Sequence, residues 1–289
     1  MTTVNPFSLS GLIRRFWRKA MLTWGLTLLD AAALVAIPVA IGWAVDGLLS
    51  GSWAGVFKLG GICLVLLVVG AGRRFYDTRV YTKIYCKVAD EVVDAERQKG
   101  SPLSAVSARV SLFKEFVDFL EESIPSLLNE FIGLFGTLAI IAVIDLRVFF
   151  ACLGAAVLTL VVYWLSDGKI FRLNQGVNDE TERQVDVLES GNRPAVRRHF
   201  RFLAHWRIRM SDLDTLNYSI IWLALSGVLV YTVIAVATSG AATTGQVVSV
   251  VMYVFGFIEA VLAFPLYYAQ LIRLREIAGR LAMSAPGKG

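Results

Sequence analysis

An all-α integral membrane protein with six transmembrane helices is predicted by three features of the sequence. The first is composition. Of 289 residues 56% are hydrophobic and only 18% charged, with a mean hydropathy of +0.62, whereas soluble domains carry about 25% charged residues. The second is that six segments meet the length of about 20 mostly apolar residues needed to cross a bilayer. They run over roughly 21–49, 55–72, 124–144, 147–166, 217–239 and 246–268. The third is where the charges sit. Blocks 14–19, 73–114, 169–209 and 273–288 hold four, nine, nine and four basic residues, together 26 of the 28 Lys and Arg. The alternate connections "SGSWAG", "DLR" and "SGAATTG" carry or abut only Lys58 and Arg147. Positive charge marks the cytoplasmic side, so both termini are expected there, in a multi-pass protein of the cytoplasmic (inner) membrane. The net charge of +5 is thus a topological signal; nucleic acid is excluded as a partner and the lipid bilayer is the expected surrounding.

The elements follow in order. Residues 1–20, "MTTVNPFSLSGLIRRFWRKA", place a basic cluster before the first apolar stretch without a small-residue cleavage site, so they are expected to be a cytoplasmic segment leading into an uncleaved helix. Span two continues past the membrane as "RRFYDTRVYTKIYCKVADEVVDAERQ", with Val80, Ile84, Val88 and Val92 at helical intervals and no Pro or Gly until Gly100. From 56 to 100 that is about 66 Å of helix, twice the ~30 Å hydrocarbon core. "SARVSLFKEFVDFLEES" leads back into span three. "NQGVNDETERQVDVLES" and "VRRHFRFLAHWRIRMSDLDTL" flank a turn at "GNRP" in the same way. Spans two to five therefore extend into two long cytoplasmic hairpins, tipped near 99–102 and 191–194. The six-helix domain occupies 21–283, and 284–289 is a short tail. Cys63, Cys86 and Cys152 lack metal-ligand spacing. Trp17, Trp24, Trp43, Trp53, Trp164 and Tyr253, at span ends, fit interfacial belts. His199 and His205 are six apart, not a helical metal pair, and read as solvated or packing residues.

Six spans, with long cytoplasmic hairpins after the second and fourth, resemble the transmembrane domain of ABC exporters. "GSPLSAVSARVSLFKEF" looks like the first intracellular loop, where exporters carry a Gly-x-Leu-x-x-Arg segment, and Arg109 fits it. "VDVLESGNRPAVRRHF" is similar to the second loop. "TTGQVVSVVMYVFGFIEAVLAFPLYYAQLIRLREIAGRL" matches the exporter sixth span, with Thr-x-Gly at its start, a mid-helix Pro and a closing Ala-x-Arg. The resemblance covers about 15–283. It implies a homodimer whose cavity is lined partly by spans one, three and six. It departs from the family after span six, where exporters continue into a nucleotide-binding domain. No Gly-x-x-x-x-Gly-Lys-Ser/Thr phosphate cradle occurs, nor a Leu-Ser-Gly-Gly signature. The chain is therefore expected to be no enzyme and to hold no ATP or other cofactor. Either a separate ATP-binding subunit docks, or the protein works without one. The first tip, short and small-residued, offers a thin docking surface, while the second is closer to the exporter type.

Carboxylates within spans are functional candidates by default. Asp30, Asp46, Glu130 and Glu259 stand out. Counting 1.5 Å per residue, Glu130 and Glu259 lie about 21 and about 20 Å below the outer ends of spans three and six, at one level. Asp30 would sit at the inner mouth, where it could instead pair with Arg73 or Arg74. Asp46, near the outer mouth, could be a solvated end residue. No Lys or Arg within a span is available to Glu259, so it faces a wet cavity or stays protonated against Ser226, Thr232, Tyr163 or backbone. Acidic rings select cations, and the expected function is passage of cations or of a proton-coupled or cationic solute through the dimer cavity. A cation channel gated by a cytoplasmic ligand, a half-transporter and a non-transporting scaffold are the alternatives. Outside the spans, Glu115, Asp118 and Glu122 fall at i, i+3 and i+7 opposite Arg79, Lys83 and Lys87. An interhelical ion-pair face is one reading; a regulatory cation site completed by Asp90 and Asp94 is the other.

Overall fold

The computed structural model describes residues 9–240 and 242–284, with side chains over 15–17, 19–240 and 242–266. Residues 1–8 and those past Ser284, with most of the expected tail, lie outside the described residues. Helices α1 (Leu9–Leu49), α2 (Ala54–Gln98), α3 (Leu103–Asp118), α4 (Ile124–Ile144), α5 (Leu146–Glu182), α6 (Gln184–Glu189), α7 (Arg193–Ala237) and α8 (Thr244–Ser284) account for the described chain. A π-helical turn, Phe119–Ser123, joins α3 to α4. Among the described residues there is no strand, and six helices are long and apolar enough to span a membrane. The predicted spans and both hairpin tips fall where the sequence puts them. In the first unit, the end of the spans that bears the α2–α3 hairpin is the hairpin side.

The chain divides into two compact units, Met1–Ile144 with Ser239–Gly289 and Asp145–Thr238. In the first unit α1 packs against α2, α4 and α8, and α4 also against α8. Helix α2 runs unbroken for 45 residues, about 68 Å, because nothing between Gly72 and Gly100 interrupts its backbone hydrogen bonds. Beyond the predicted membrane end, its stripe Tyr81, Ile84, Val88 and Val92 is buried against Phe113, Phe116 and Val117 of α3. There the surrounding medium is water, and burying apolar area at about 25 cal/mol per Å² holds the hairpin closed.

That apolar seam lies where an ion-pair face was expected. Arg79 turns back over the ring of Phe75 and donates to its carbonyl (3.0 Å). Among the described residues no ion pair joins Arg79, Lys83 or Lys87 to Asp118 or Glu122. The apolar stripe occupies the line of contact, so the charges fall to its flanks.

Inside lipid the hydrophobic effect cannot drive one helix onto another, and close backbone approach with interhelical hydrogen bonds takes over. The α1–α8 crossing is built that way. A β-carbon at Gly42 would land on Ser249 Oγ and the Gly245 carbonyl, and one at Gly245 on the Gly42 carbonyl and the Asp46 carboxylate. Glycine at both positions lets the two backbones touch. Of the belt residues, Trp17, Trp43, Trp53 and Trp164 are exposed and Trp24 is half-buried, but Tyr253 is 2% exposed. Its hydroxyl donates to the Val35 carbonyl at 2.6 Å, so it is a link between helices.

The second unit is a hairpin of α5 and α7, with the short α6 between them. Asp145 caps α5, accepting from the Arg147 and Val148 amides at 2.9 and 3.4 Å. The Arg147 guanidinium bonds Asp145 and the Ala235 carbonyl (3.1 Å), tying the start of α5 to the end of α7. Lower in the hairpin Ser166 donates to Asn217 at 2.8 Å.

Candidate functional site

The four intraspan carboxylates divide into two that are held and two that are not. Asp46 belongs to the first kind. Residue Thr243 and Gln246 form a reciprocal cap at the start of α8: the Thr243 hydroxyl accepts from the Gln246 amide at 3.2 Å, and the Gln246 side chain accepts from the Thr243 amide at 3.1 Å. Asp46 completes it, accepting from the Thr243 hydroxyl at 2.5 Å and the Gly245 amide at 2.7 Å. A carboxylate at a helix N-terminus satisfies orphan amides and complements the dipole. One turn on, the Ser249 hydroxyl sits 2.8 Å from the Pro38 carbonyl and 2.9 Å from that of Gly245. Asp46 is thus half-buried and clamps α1 to α8, rather than standing as a solvated end residue.

Asp30 is the second held group. Its Oδ2 lies 3.6 Å from Arg73 Nη1, the partner the sequence offers. The same guanidinium donates to Thr27 at 3.1 Å and stands 3.9 Å from Asp77. Thr23, fully buried, donates to Asp77 at 2.7 Å. Threonine spacing at 23 and 27 and basic-acidic spacing at 73 and 77 put these four on facing stripes of α1 and α2.

Glu130 and Glu259 are different. They lie on α4 and α8, helices in contact within the first unit. Glu130 is half-buried and Glu259 exposed. Among the described residues neither has an ion-pair partner. Glu259 shares its side of α8 with exposed Phe255 and Gly256, while Val254, Phe257, Ile258 and Val261 are buried. The buried side of α8 supports the bundle and its other side presents Glu259.

Outside the spans, Glu115, Asp118 and Glu122 line a groove with Ser111, Lys114, Phe119 and Ser123. Asp90 and Asp94 are exposed on α2, off the face that α2 buries against α3. No three carboxylates among the described residues come close enough to hold a metal ion, so the five do not converge into the cation site considered above.

Two polar knots escaped the sequence reading. At the first tip Glu96, 3% exposed, accepts from Ser101 at 2.7 Å and Lys99 at 3.1 Å and meets the Arg109 guanidinium. The Ser101 hydroxyl first, then Lys99 and Arg109, hold its carboxyl below the usual carboxylate range. The signal was the exporter-like Arg109, whose partner lies thirteen residues upstream across the turn. In the second unit His199, 3% exposed, pairs through Nδ1 with Glu180 at 2.7 Å, so it is a packing residue and not a solvated one. Near it Arg193, Arg197, Arg198 and Arg201 line a basic groove at the second tip.

A comparison with curated proteins finds no match. Residues 9–245 match the family described as ABC transporter transmembrane region. That stretch takes in five whole spans and the capped start of the sixth, so the long hairpins, the six apolar helices and the family agree: the chain belongs to the ABC transporter transmembrane-region family.

Proposed function

We propose that this translocation domain passes cations, or a proton-coupled or cationic solute, through a cavity formed by two copies of the chain, with Glu130 and Glu259 on its path. The carrying observation is the contrast among the carboxylates. Asp30 and Asp46 are consumed by Arg73 and by the cap of α8, whereas Glu259 is presented on the open side of a span without a described cation beside it. An intramembrane carboxylate is costly and persists where it meets a wet path or a ligand. The reading places both termini on the cytoplasmic side, and it assigns the chain no catalytic step and no cofactor.

The decisive experiment is flux from purified protein in liposomes, without nucleotide. Wild type should pass monovalent cations or protons. Glu259→Gln and Glu130→Gln should lower flux or change ion preference by about tenfold, the effect of roughly 1.4 kcal/mol on a binding step, while the oligomer stays intact. Wild-type flux and preference in both variants would remove the two glutamates from the path, and no flux under any gradient would favour the scaffold.

A second reading, a half-transporter driven by a separate ATP-binding subunit, is supported by the four-arginine groove at the second tip. Protein purified from its native membrane would then carry an ATPase that Arg197→Glu with Arg201→Glu releases.

A further inference from the structure

Four arginines crowd the start of α7. Arg193, Arg197, Arg198 and Arg201 line one open groove of about 400 Å³ with Pro194, and all four are exposed. Local energetics oppose that placement. Arg193 occupies the first turn of a 45-residue helix, where the dipole disfavours a cation. Arg193 with Arg197, and Arg197 with Arg201, are like charges at i and i+4, an arrangement that destabilises a helix. Among the described residues, no carboxylate stands in ion-pair range of any of the four, although Asp186 and Glu189 lie on the adjoining α6. Glu180, which reaches α7 from α5, is engaged by His199. An anion in the groove would turn each of these repulsions into an attraction.

Residue type is an independent observation. Orienting a membrane protein needs positive charge, which Lys and Arg supply alike. Block 73–114 mixes five Arg with four Lys, but no Lys occurs from 170 to 287. A planar guanidinium presents a fork that grips phosphate oxygens in pairs, which an ammonium cannot do. The charge count points to more than one phosphate group. A phosphate monoester carries about −1.5 to −2, so four arginines are matched by at least two such groups. A lipid headgroup of the surrounding bilayer is out of reach. The predicted fifth span begins at 217, about 24–36 Å along α7 from these arginines, whereas surface potentials decay over about 8 Å.

We propose that the second tip binds a soluble anion carrying two or more linked phosphate groups, held by the guanidinium forks of Arg193, Arg197, Arg198 and Arg201. The site stands apart from the translocation reading, and it competes with the half-transporter reading for the same arginines. Its ligand would neutralise the repulsion along the first turns of α7, so its arrival is a signal delivered at the far end of the hairpin.

The test is calorimetric titration of the full chain, in nanodiscs of neutral lipid, with inorganic tripolyphosphate. Wild type should bind it about tenfold more tightly than orthophosphate. Arg197→Gln with Arg201→Gln should weaken binding by about tenfold or more. Arg207→Gln with Arg209→Gln removes the same charge further along α7 and should leave affinity within about twofold. Arg197→Lys with Arg201→Lys keeps the charge, removes the forks and should weaken binding by about threefold or more. All four side chains are exposed, so the variants should fold as wild type does. A wild type that does not bind, an equal loss in the two glutamine pairs, or a lysine pair that binds like wild type overturns the site. Discs of anionic lipid should give the same affinity; displacement of tripolyphosphate by that lipid would assign the groove to headgroups and overturn the soluble ligand. A co-purified ATPase released by Arg197→Glu with Arg201→Glu, from a chain indifferent to tripolyphosphate, would assign it to a protein partner instead. Binding without flux keeps the site and sinks the translocation reading, and flux without binding does the reverse.

Discussion

The two units solve the same problem, polar groups in apolar helices, in opposite ways. In the second unit, span hydroxyls are mostly satisfied at home: Thr159 donates to Ala155 and Thr232 to Val228, each four residues back on its own helix. In the first, more of them reach across, although Thr27 donates to Thr23 on its own helix. Ser249 and Tyr253 of α8 engage carbonyls of α1, Thr243 engages Asp46, and Thr23 engages Asp77 of α2. All four intraspan carboxylates also lie in the first unit; the spans 147–166 and 217–239 of the second contain no acidic residue. Cross-helix bonds fix a bundle in one register, and that fixed bundle carries the acidic groups. The second unit concentrates its charge at its tip.

The contrast breaks first at the α1–α8 crossing. Gly42→Leu places a side chain against backbone that cannot give way. Overpacking costs about 1–3 kcal/mol and occasionally more, and this site should reach the upper end. In the second unit Gly154 and Gly227 have open space around a built β-carbon. Gly154→Ala should therefore be neutral, or stabilising by up to about 1 kcal/mol through helix propensity. Thermal unfolding in detergent decides it: equal shifts at Gly42 and Gly154 would mean that the crossing is not close-packed.

A smaller effect probes the second unit where it does reach across. Its His199–Glu180 pair, with His199 buried and Glu180 half-buried, joins α7 to α5, so His199→Ala leaves the carboxylate without this partner and should cost about 1–3 kcal/mol. In a cycle with Glu180→Gln, the double variant should be milder than the sum, with a coupling of about 0.5–3 kcal/mol. Strict additivity would mean the two side chains are neighbours without being partners.

The spans, the tips and the helical stripe Ile84, Val88 and Val92 were legible because apolar length, charge asymmetry and periodicity act locally along the chain. Asp30 with Arg73 was legible too, since both fall at one membrane edge. Tyr253 misled: a tyrosine near a span end has the composition of a belt residue, and only the approach of α1 at Gly42 turns it inward. His199 was open between solvated and packing roles, and α5 closing over it decides for packing. Asp90 and Asp94, considered as completing a cation site, lie exposed off the face that α2 buries, because position along a helix does not say which side a residue occupies. Period along one helix is written in the sequence; rotation between two helices is settled by packing.

The smallest effect is local and sharpens the comparison of the two tips. In the first unit the tip is drawn together by one carboxylate, Glu96, with Ser101 as its strongest partner, then Lys99 and Arg109; the second tip has its arginines in an open groove. Glu96 has its folded pKa below the ordinary value of about 4.5. A depressed carboxylate pKa contributes stability that is fully present above the unfolded value and is lost as pH falls through the folded one. Amide-exchange protection across 96–109, corrected for intrinsic rates, should hold steady from pH 7 down to about 5 and weaken below about 4.5. In Glu96→Gln that acid-dependent loss should disappear, with protection lower at pH 7 because a neutral amide is a poorer partner for Arg109. Ser101→Ala should give an intermediate profile, its loss beginning at higher pH because the largest contributor to the shift is gone. If wild type and Glu96→Gln lose protection in parallel on acidification, the tip is held by Pro102 and the turn backbone, and the carboxylate only decorates it.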